Sequence, residues 1–369
     1  MLGEFLFQFR DVFFGFNLFR YITVRSALAA ITALLFSLFI GPIIIRLLKK
    51  YQIGEEIRSD GPKTHLKKAG TPTMGGIIIL AGVILGVLLW AKISNFYIQI
   101  IFISTLWMGL VGFLDDYLKS VKKMKKGLVA RYKLIGQISL GLFVGSMIFF
   151  NHHFVVQGLN SNTSLPFFKN LEIDFGWFYI PVVILVITGT SNAVNLTDGL
   201  DGLATGLIAI AMLAFAGISY VTGNVKFSDY LNIIYLPGAG ELTVYSLAVV
   251  GAAMGFLWYN AYPAQVFMGD TGALALGSTL GTLAVLVKKE IFLVIIGGVF
   301  VAEAASVIIQ TTYFKYTRKK YGKGRRIFRM APLHHHLELM NIHESKVVTR
   351  LWIVGILLAL LTLTTFKVR

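Results

Sequence analysis

The run FYIQIIFISTLWMGLVGFL at residues 96–114 contains no charged residue, and it is followed at once by DDYLK, which contains three. A helix of this length rises about 29 Å, close to the ~30 Å hydrocarbon core of a bilayer. The stretch therefore predicts a membrane-spanning helix that ends in a pair of acids at one surface.

The composition of the whole chain agrees with this prediction. Its 369 residues are 56% hydrophobic and only 14% charged, with a mean hydropathy of +0.73. Soluble proteins carry roughly 25% charged residues, so most of this surface is not expected to meet water. Cysteine is absent, which excludes disulfides, a thiolate nucleophile and a cysteine zinc site.

The apolar runs predict an all-α polytopic integral membrane protein with ten spans in a single transmembrane domain, residues 1–369. Residues 1–22 are rich in aromatic side chains and poor in charge, which is typical of an interfacial segment. The spans are expected at about residues 24–47, 73–91, 96–114, 133–150, 176–194, 203–221, 242–258, 271–287, 291–314 and 347–366.

Basic residues are concentrated in three connecting segments. Residues 46–72, 115–133 and 315–350 contain seven, seven and ten of the 34 Lys and Arg residues. By the positive-inside rule these segments are cytoplasmic, so both termini are expected outside. The polar clusters follow spans 1, 3, 5, 7 and 9, and five cytoplasmic loops are therefore expected to form one active site. Because the charge of +16 lies beside lipid, no nucleic-acid partner is expected.

Five of the nine aspartates lie in three short motifs next to apolar spans. Ionisable residues at membrane depth are costly and usually functional, although any one of them alone would as readily cap a helix. Carboxylates are hard ligands that suit Mg²⁺ or Mn²⁺. The motifs thus predict a metal-dependent phosphoryl transfer. The residues are Asp115 and Asp116 in GFLDDYLKS, Asp198 and Asp201 in NAVNLTDGLDGLATG, and Asp270 in YPAQVFMGDTGAL.

Other residues near these motifs are candidates for substrate binding. Lys119 and Lys133 in the second basic segment offer cations for phosphate oxygens. Gly199 would let a ligand approach the backbone, or would serve helix packing. Three asparagines have donors and acceptors for a nucleobase or a sugar, and interhelical hydrogen bonding is an equally good interpretation for each alone. They are Asn192, Asn195 and Asn260.

Two features outside these motifs have more than one interpretation. The triplet His334, His335 and His336 would sweep about 200° on a helix and cannot all face one ion. Phosphate or sugar contacts are therefore favoured over a structural zinc. Glu303 lies inside the ninth predicted span, where an acid usually has a function. A structural hydrogen bond or a lipid-chain contact is favoured for it, and proton coupling is the alternative.

Five motifs carry a family resemblance that covers nearly the whole chain. DDxxK and DGLDG mark the polyprenyl-phosphate N-acetylhexosamine-1-phosphate transferase superfamily, and the chain resembles its phospho-N-acetylmuramoyl-pentapeptide transferase family through the histidine triplet and TPTMGG. The motifs are GTPTMGG at 70–76, LDDYLK at 114–119, NAVNLTDGLDGLATG at 192–206, NAYPAQVFMGDTGALALG at 260–277 and APLHHHLE at 331–338.

The resemblance implies a reaction and its partners. UDP-N-acetylmuramoyl-pentapeptide and undecaprenyl phosphate would give a membrane-bound sugar-pyrophosphate lipid (lipid I) and UMP, the first membrane step of peptidoglycan synthesis. It implies Mg²⁺ as cofactor, with Mn²⁺ as a substitute, and a homodimer in the bacterial inner membrane. The active site would face the cytoplasm, beside membrane lipid.

The resemblance also implies roles for individual residues. Asp270 is similar to the family's magnesium-binding aspartate, and Asp115 and Asp116 match its DD pair, with Asp115 the base for the lipid phosphate. Asp198 matches an essential aspartate near the metal; with the DD pair it is a further candidate ligand. The substrate-side matches are Asp201 for uracil, Phe267 near the uridine pocket, Lys68 and Thr73 of the first loop, Asn192 and Asn260, and the histidine triplet.

Alternatives remain at the level of mechanism and of function. The lipid phosphate would attack directly, or an aspartate would form a covalent intermediate; direct attack is favoured because an ionised phosphate needs positioning most. A related transferase using UDP-N-acetylglucosamine is the nearest alternative function. A secondary transporter is more distant, since it would need acids near the bilayer midplane and an inverted repeat.

Overall fold

A computed structural model describes residues 2–51, 68, 70–124, 127–168 and 171–368. Within these ranges the chain is almost entirely helical, and one short antiparallel hairpin, β1 (Asn162–Ser164) and β2 (Glu172–Asp174), interrupts it. The helices are α1 Leu2–Gln8, α2 Ile22–Lys50, α3 Gly76–Trp90, α4 Phe96–Ser120, α5 Ala130–Phe149, α6 His152–Val156, α7 Tyr179–Thr197, α8 Leu203–Thr222, α9 Val225–Leu231, α10 Glu241–Asn260, α11 Gly269–Leu286, α12 Glu290–Ile296, α13 Gly298–Tyr321, α14 Leu333–Glu338 and α15 Glu344–Val368.

Seven helices in the described part of the chain are long and apolar enough to cross a membrane: α2, α4, α5, α7 with its preceding turn, α8, α10 and α15. The bent pair α12 and α13 brings the number to eight if it counts as one span. The apolar side chains on the outside of these helices are exposed, among them Phe39, Leu185 and Leu357. A soluble protein would leave few such large apolar residues exposed, so the bundle agrees with an all-α polytopic membrane protein.

Three of the ten predicted spans differ from simple crossing helices. Helix α3 has only 15 residues and rises about 22 Å, less than the hydrocarbon thickness. Helix α11 has 18 residues and contains many small polar ones, so it is not among the seven. The predicted span 291–314 is not one straight helix, because α12 and α13 meet at an angle of 84°. The break falls at Gly297 and Gly298, where paired glycines resist bending least.

Helix α11 lies at the centre of the bundle. Every residue from Thr271 to Leu286 is buried, and α4, α7, α3 and α8 pack around the helix. Glycine, alanine, serine and threonine dominate its sequence, which lets neighbouring backbones approach closely as in other membrane bundles. At one end, Gly112 of α4 lies so near α11 that a Cβ there would be 2.2 Å from the Asp270 carbonyl oxygen. This packing fixes the position of Asp270.

The opposite end of α11 has a buried ionic cluster of its own. Lys288 donates to the Tyr179 hydroxyl at 2.8 Å, and that hydroxyl donates to Glu290 at 2.8 Å. Thr163 of β1 donates to the other Glu290 oxygen, and Lys289 donates to Ser164 at 2.8 Å. The cluster therefore ties the hairpin to the turn between α11 and α12. Burial lowers the pKa of Lys288 to about 8.

Residues 2–20 form short helical pieces, namely α1 and a 3₁₀ segment at Phe14–Arg20. Their aromatic side chains are largely exposed, with Phe13 and Phe14 at 57% and 86%. Neither piece is long enough to span a bilayer. Exposed aromatic residues are typical of a segment that lies at the membrane surface, and the interfacial location of this segment stays a prediction.

Candidate functional site

Three aspartates from two helices meet at the start of α11. Asp115 and Asp116 end the apolar part of α4, and Asp270 is in the first turn of α11. Carboxylate oxygens of all three lie within 4.8 Å of one another. In the described ranges this is the group of acids and histidines whose spacing suits a metal ion. The predicted alternative ligand Asp198 is not part of it.

Two lysines bridge the carboxylates of Asp115 and Asp270. Lys119 lies 2.5 Å from Asp115 and 3.0 Å from Asp270, and Lys133 lies 2.6 Å and 2.5 Å from the same two groups. Lys119 is one helical turn after Asp115, and Lys133 comes from the first turns of α5. Lys119 is 41% exposed, whereas Asp115 is fully buried. The cluster therefore extends from the protein interior to the open surface.

Asp116 has a different set of contacts from its neighbour. Its oxygens accept the backbone N–H of Asp270 at 3.1 Å and of Thr271 at 2.8 Å, and the Thr271 hydroxyl at 2.6 Å. It therefore caps the first turn of α11 from another helix, which satisfies donors that a helix start leaves open. A Cβ on Gly269, whose φ is +72°, would lie 2.7 Å from Asp116 and 2.9 Å from the Thr73 hydroxyl. Only glycine fits between them.

The loop after α7 connects the aspartate cluster to the rest of the site. Asn195, in the last turn of α7, donates to Asp270 at 2.7 Å, so this asparagine belongs to the cluster. Asp198 follows at the end of the same helix, with its backbone N–H bonded to Val194. Asp201 lies three residues further and is almost fully buried. The segment DGLDG thus runs from the aspartate cluster to a second polar cluster.

The second cluster joins the first loop to the start of α15. Lys68 donates to Asp201 at 2.7 Å and to Glu344 at 2.6 Å. The other Asp201 oxygen accepts the Ala264 N–H at 3.0 Å. Burial works to lower the pKa of Lys68, but the two carboxylates outweigh it and raise that pKa above its ordinary value. Lys68 is therefore a permanent cation at the edge of the site.

The first histidine of the triplet lies in the protein interior. His334 is fully buried, and its Nδ1 lies 3.1 Å from the Glu303 carboxylate, which also accepts the His334 backbone N–H. Its Nε2 points at Gly199, where a Cβ would be 2.3 Å away. Gly199 is thus a close-packing position beneath the ring, and Glu303 makes a structural hydrogen bond, as the sequence favours.

The other two histidines have separate partners. His335 lies 2.9 Å from Glu338, and Nδ1 of His336 accepts the Arg329 N–H at 3.1 Å. The three histidines thus have three different partners, and the His334 and His335 rings contact each other edge-on with centroids 4.2 Å apart. Within the described residues the triplet forms no common metal centre.

The remaining predicted residues differ in accessibility. Asn192 is exposed and donates to Gln137 of α5 at 2.9 Å. Asn260 is buried and links α8 to the loop before α11, by accepting from Thr205 at 2.9 Å and donating to the Val266 carbonyl at 3.0 Å. For Asn260 the interhelical interpretation therefore describes its contacts. Phe267 is half-buried, and its backbone pairs with Pro72 and Gly75.

Sequence reasoning missed Glu344 and Thr271. Glu344 is an acid three residues before the predicted span 347–366, and the 143 residues that separate it from Asp201 hide their contact. A charged residue at a helix start is usually explained by the helix dipole. Its only signal was its place within the last basic segment, at the same end as the aspartates.

The helix bundle and the converging carboxylates and lysines define a polytopic membrane protein suited to the transfer of phosphate-linked groups. Residues 98–288 match the family described as Glycosyl transferase family 4, and residues 68–80 match Phospho-N-acetylmuramoyl-pentapeptide-transferase signature 1. The chain belongs to the phospho-N-acetylmuramoyl-pentapeptide transferase family.

Relatives from three bacteria support this membership along the whole chain. Proteins named phospho-N-acetylmuramoyl-pentapeptide-transferase are similar to it at 53% identity in Thermodesulfovibrio yellowstonii, 51% in Chloroherpeton thalassium and 47% in Flavobacterium psychrophilum. The matches cover 100%, 96% and 99% of this chain, and the same shares of the relatives.

Proposed function

We infer that this chain transfers phospho-N-acetylmuramoyl-pentapeptide from its UDP conjugate to undecaprenyl phosphate, giving lipid I and UMP for peptidoglycan synthesis. The observation that carries the inference is the full-length identity of about half with relatives of that name. The cluster of Asp115, Asp116 and Asp270 supplies chemistry that suits it. Both substrates bring phosphate groups, and carboxylates with bridging lysines suit the charge they introduce.

We propose Mg²⁺ as the cofactor, held by Asp270 and Asp115. The fit rests on oxygen ligands of three acids within 4.8 Å, a donor set that hard cations prefer. Asp116 fits less well, because both its oxygens already accept hydrogen bonds from the start of α11. When bound, the ion would neutralise phosphate charge and stabilise the leaving group.

The chain's own residues bind and orient both phosphates in this proposal. Lys119 and Lys133 reach Asp115 and Asp270 from two helices, and each has further N–H donors for phosphate oxygens. Asp115 is the group that takes a proton from the lipid phosphate where one remains. Lys68 and Asp201, which contact each other at 2.7 Å, receive the nucleotide end, with Phe267 as the aromatic surface.

We propose direct attack in a single step. An oxygen of the lipid phosphate forms a bond to the β-phosphorus of the UDP-sugar, and the bond from that phosphorus to the bridging oxygen breaks and leaves UMP. Positioning by lysines supports this route, since an ionised phosphate needs alignment more than activation. A phospho-sugar adduct on an aspartate that forms and turns over at the catalytic rate without lipid would contradict it.

We propose that α3, α11 and the bent pair α12–α13 each count as crossings, which gives ten. Support comes from contacts that lie at one end of the bundle. They are made by Asp115 near the end of α4 and by residues that follow α2, α7, α10 and α13, namely Lys68, Asp201, Asp270 and His334. Residues at the same end of the bundle must be separated along the chain by an even number of membrane crossings, and ten spans place two crossings between each successive pair of these residues. The basic segments at that end favour the cytoplasmic face. The homodimer is a proposal by family alone.

The test is an assay of UMP release by the purified protein with undecaprenyl phosphate. UDP-N-acetylmuramoyl-pentapeptide should be turned over and UDP-N-acetylglucosamine should not, and chelation of Mg²⁺ should abolish release until Mg²⁺ or Mn²⁺ is restored. Turnover of UDP-N-acetylglucosamine alone would favour the related transferase. Activity that survives complete chelation would contradict the metal proposal.

A further inference from the structure

Glu344 is an acid in the protein interior, outside the aspartate cluster. It begins α15, is 7% exposed, and uses one oxygen, Oε1, for two donors. Those donors are the Lys68 ammonium at 2.6 Å and the Asp201 backbone N–H at 2.8 Å. A single oxygen thus contacts both residues that the proposed function places at the nucleotide.

The contacts form a closed arrangement around Asp201. Its Oδ1 accepts from Lys68 at 2.7 Å, its Oδ2 accepts the Ala264 N–H at 3.0 Å, and its own N–H is held by Glu344. Charge-assisted hydrogen bonds of this kind are about twice as strong as neutral ones. Asp201 is therefore held at its backbone and at both side-chain oxygens, and the backbone contact depends on Glu344.

A second contact from the same segment reaches the loop after α10. The ring of His343 packs edge-on against Tyr262, with centroids 5.2 Å apart and an angle of 84°. Tyr262 lies two residues before Ala264, and that loop continues to Phe267. The segment at the start of α15 thus contacts this loop at Tyr262, and Asp201 contacts it at Ala264.

We propose that Glu344 is a positioning residue, which holds Lys68 and Asp201 in the arrangement that receives the nucleotide end of the UDP-linked substrate. This inference rests on the assignment of Lys68 and Asp201 to the nucleotide in the proposed function. Glu344 acts through these two residues, since its Oε1 is already shared between their donors. It has no part in the aspartate cluster that carries the phosphoryl transfer.

A residue that only prepares the binding site has a particular kinetic signature. Loss of binding that is equal in the ground state and the transition state raises KM and leaves kcat unchanged. Removing a carboxylate that accepts two donors, one of them charged, should weaken nucleotide binding about tenfold to a hundredfold. The KM for undecaprenyl phosphate should not move.

The experiment compares five purified full-length single variants, and the Lys68→Met/Glu344→Ala double variant, with the wild type. Glu344→Ala removes both contacts, Glu344→Gln keeps the shape and loses the charge, and Lys68→Met and Asp201→Asn test the assignment itself. Glu172→Gln, on the exposed β2 strand at the opposite end, is the matched control. The readouts are KM for each substrate, kcat, UMP affinity by calorimetry without lipid, and the thermal midpoint of unfolding.

The expected result is a KM for the UDP-substrate and a Kd for UMP that rise most in Glu344→Ala, less in Glu344→Gln and not in Glu172→Gln. In a double-mutant cycle, Glu344→Ala should have a smaller effect once Lys68 is methionine, because one of its two contacts is then already lost and coupled residues are not additive. Full additivity, or a fall in kcat and thermal midpoint with UMP affinity unchanged, would show a purely structural anchor and overturn the inference.

The same variants distinguish an error in the proposed function from an error in the role of Glu344. If Lys68→Met and Asp201→Asn leave the KM and UMP affinity unchanged, then the nucleotide lies elsewhere and the assignment is wrong. If those two variants weaken binding and Glu344→Ala does not, then the assignment stands and the positioning role of Glu344 is wrong.

Discussion

The two ends of α11 carry similar residue types in opposite arrangements. At its start, Asp270 and Asp115 share two lysines, one of which is 41% exposed, and the cluster continues into open surface. At its end, Lys288 and Glu290 are both buried, with Tyr179 between them and Thr163 on the remaining oxygen. Each end pairs carboxylates with ammonium groups, but only at the first do the ammonium groups reach the open surface, where a ligand can approach.

The difference shows how a buried charge is used in this bundle. Burying ions is expensive, and an enclosed pair is retained only where its hydrogen bonds are satisfied. The Lys288 cluster satisfies its acceptors internally and joins a hairpin to the bundle, so its role is structural. The Asp270 cluster has more lysine donors than it needs for its own carboxylates, so it is prepared for further anions.

The largest expected effect is at the start of α11. Asp270→Asn should lower UMP release about a thousandfold or more. The variant would lose the proposed metal ligand and the partner of two lysines, at a site expected to stabilise phosphate charge by several kcal/mol. The thermal midpoint should change little, since Asp270 is partly exposed. Near-normal turnover by this variant would show that the Asp270 carboxylate is not needed for catalysis.

The next largest effect is expected at the end of α11, and it concerns stability and not activity. Glu290→Ala should lower the free energy of unfolding by about 3 kcal/mol, because Lys288 would remain buried without its carboxylate. The folded fraction of the Glu290→Ala variant should keep the wild-type kcat and KM. A denaturation series in detergent, with UMP release measured on the folded fraction, would check both parts. A large loss of kcat would show that the Glu290 end of α11 is not purely structural.

A smaller effect should distinguish the two bridging lysines. Lys133 is 20% exposed and Lys119 is 41% exposed, so solvent screens Lys119 more. Lys133→Met should lower kcat/KM about tenfold to a hundredfold, and Lys119→Met should lower it less. Equal losses, measured with both substrates varied, would show that exposure does not set their contribution.

The smallest effect is the pH dependence of stability at the buried end. Burial lowers the folded-state pKa of Lys288 to about 8 from 10.5. Between these values the unfolded chain binds more protons than the folded one, so stability should increase as pH rises from about 8 towards 10.5. The thermal midpoint at pH 7.5 and 9.5 should show this gain in the wild type, and Lys288→Met should show less of it. An identical gain in both would contradict the assignment.

Much of the fold could be predicted because lipid imposes a simple condition on sequence. The predicted span 96–114 lies within α4, 203–221 within α8 and 347–366 within α15. Each rests on a long apolar run, which has few alternatives in a bilayer. The bend in 291–314 was not predicted, since a Gly pair permits a bend and only packing decides that it occurs.

The sequence predicted many residues of the candidate site but fewer of the contacts between them. The convergence of Asp115, Asp116 and Asp270 followed from the parity of spans. The pairing of Glu303 with His334 did not, because 31 residues and a loop lie between them. Asn192 and Asn260 looked alike in sequence, yet one is exposed and the other bonds Thr205 in the interior. Residue type alone does not reveal the neighbours of a polar side chain.

The sequence by itself determined a helical membrane protein, the family to which it belongs, and the five aspartates near one surface. These properties depend on apolar length, charge placement and short motifs, which are all local. The tertiary structure alone decided that Asp116 caps α11, that Lys119 and Lys133 share two carboxylates, and that Glu344 holds Lys68 and Asp201. Such contacts join residues far apart in the chain, and they depend on how closely small residues let helices pack.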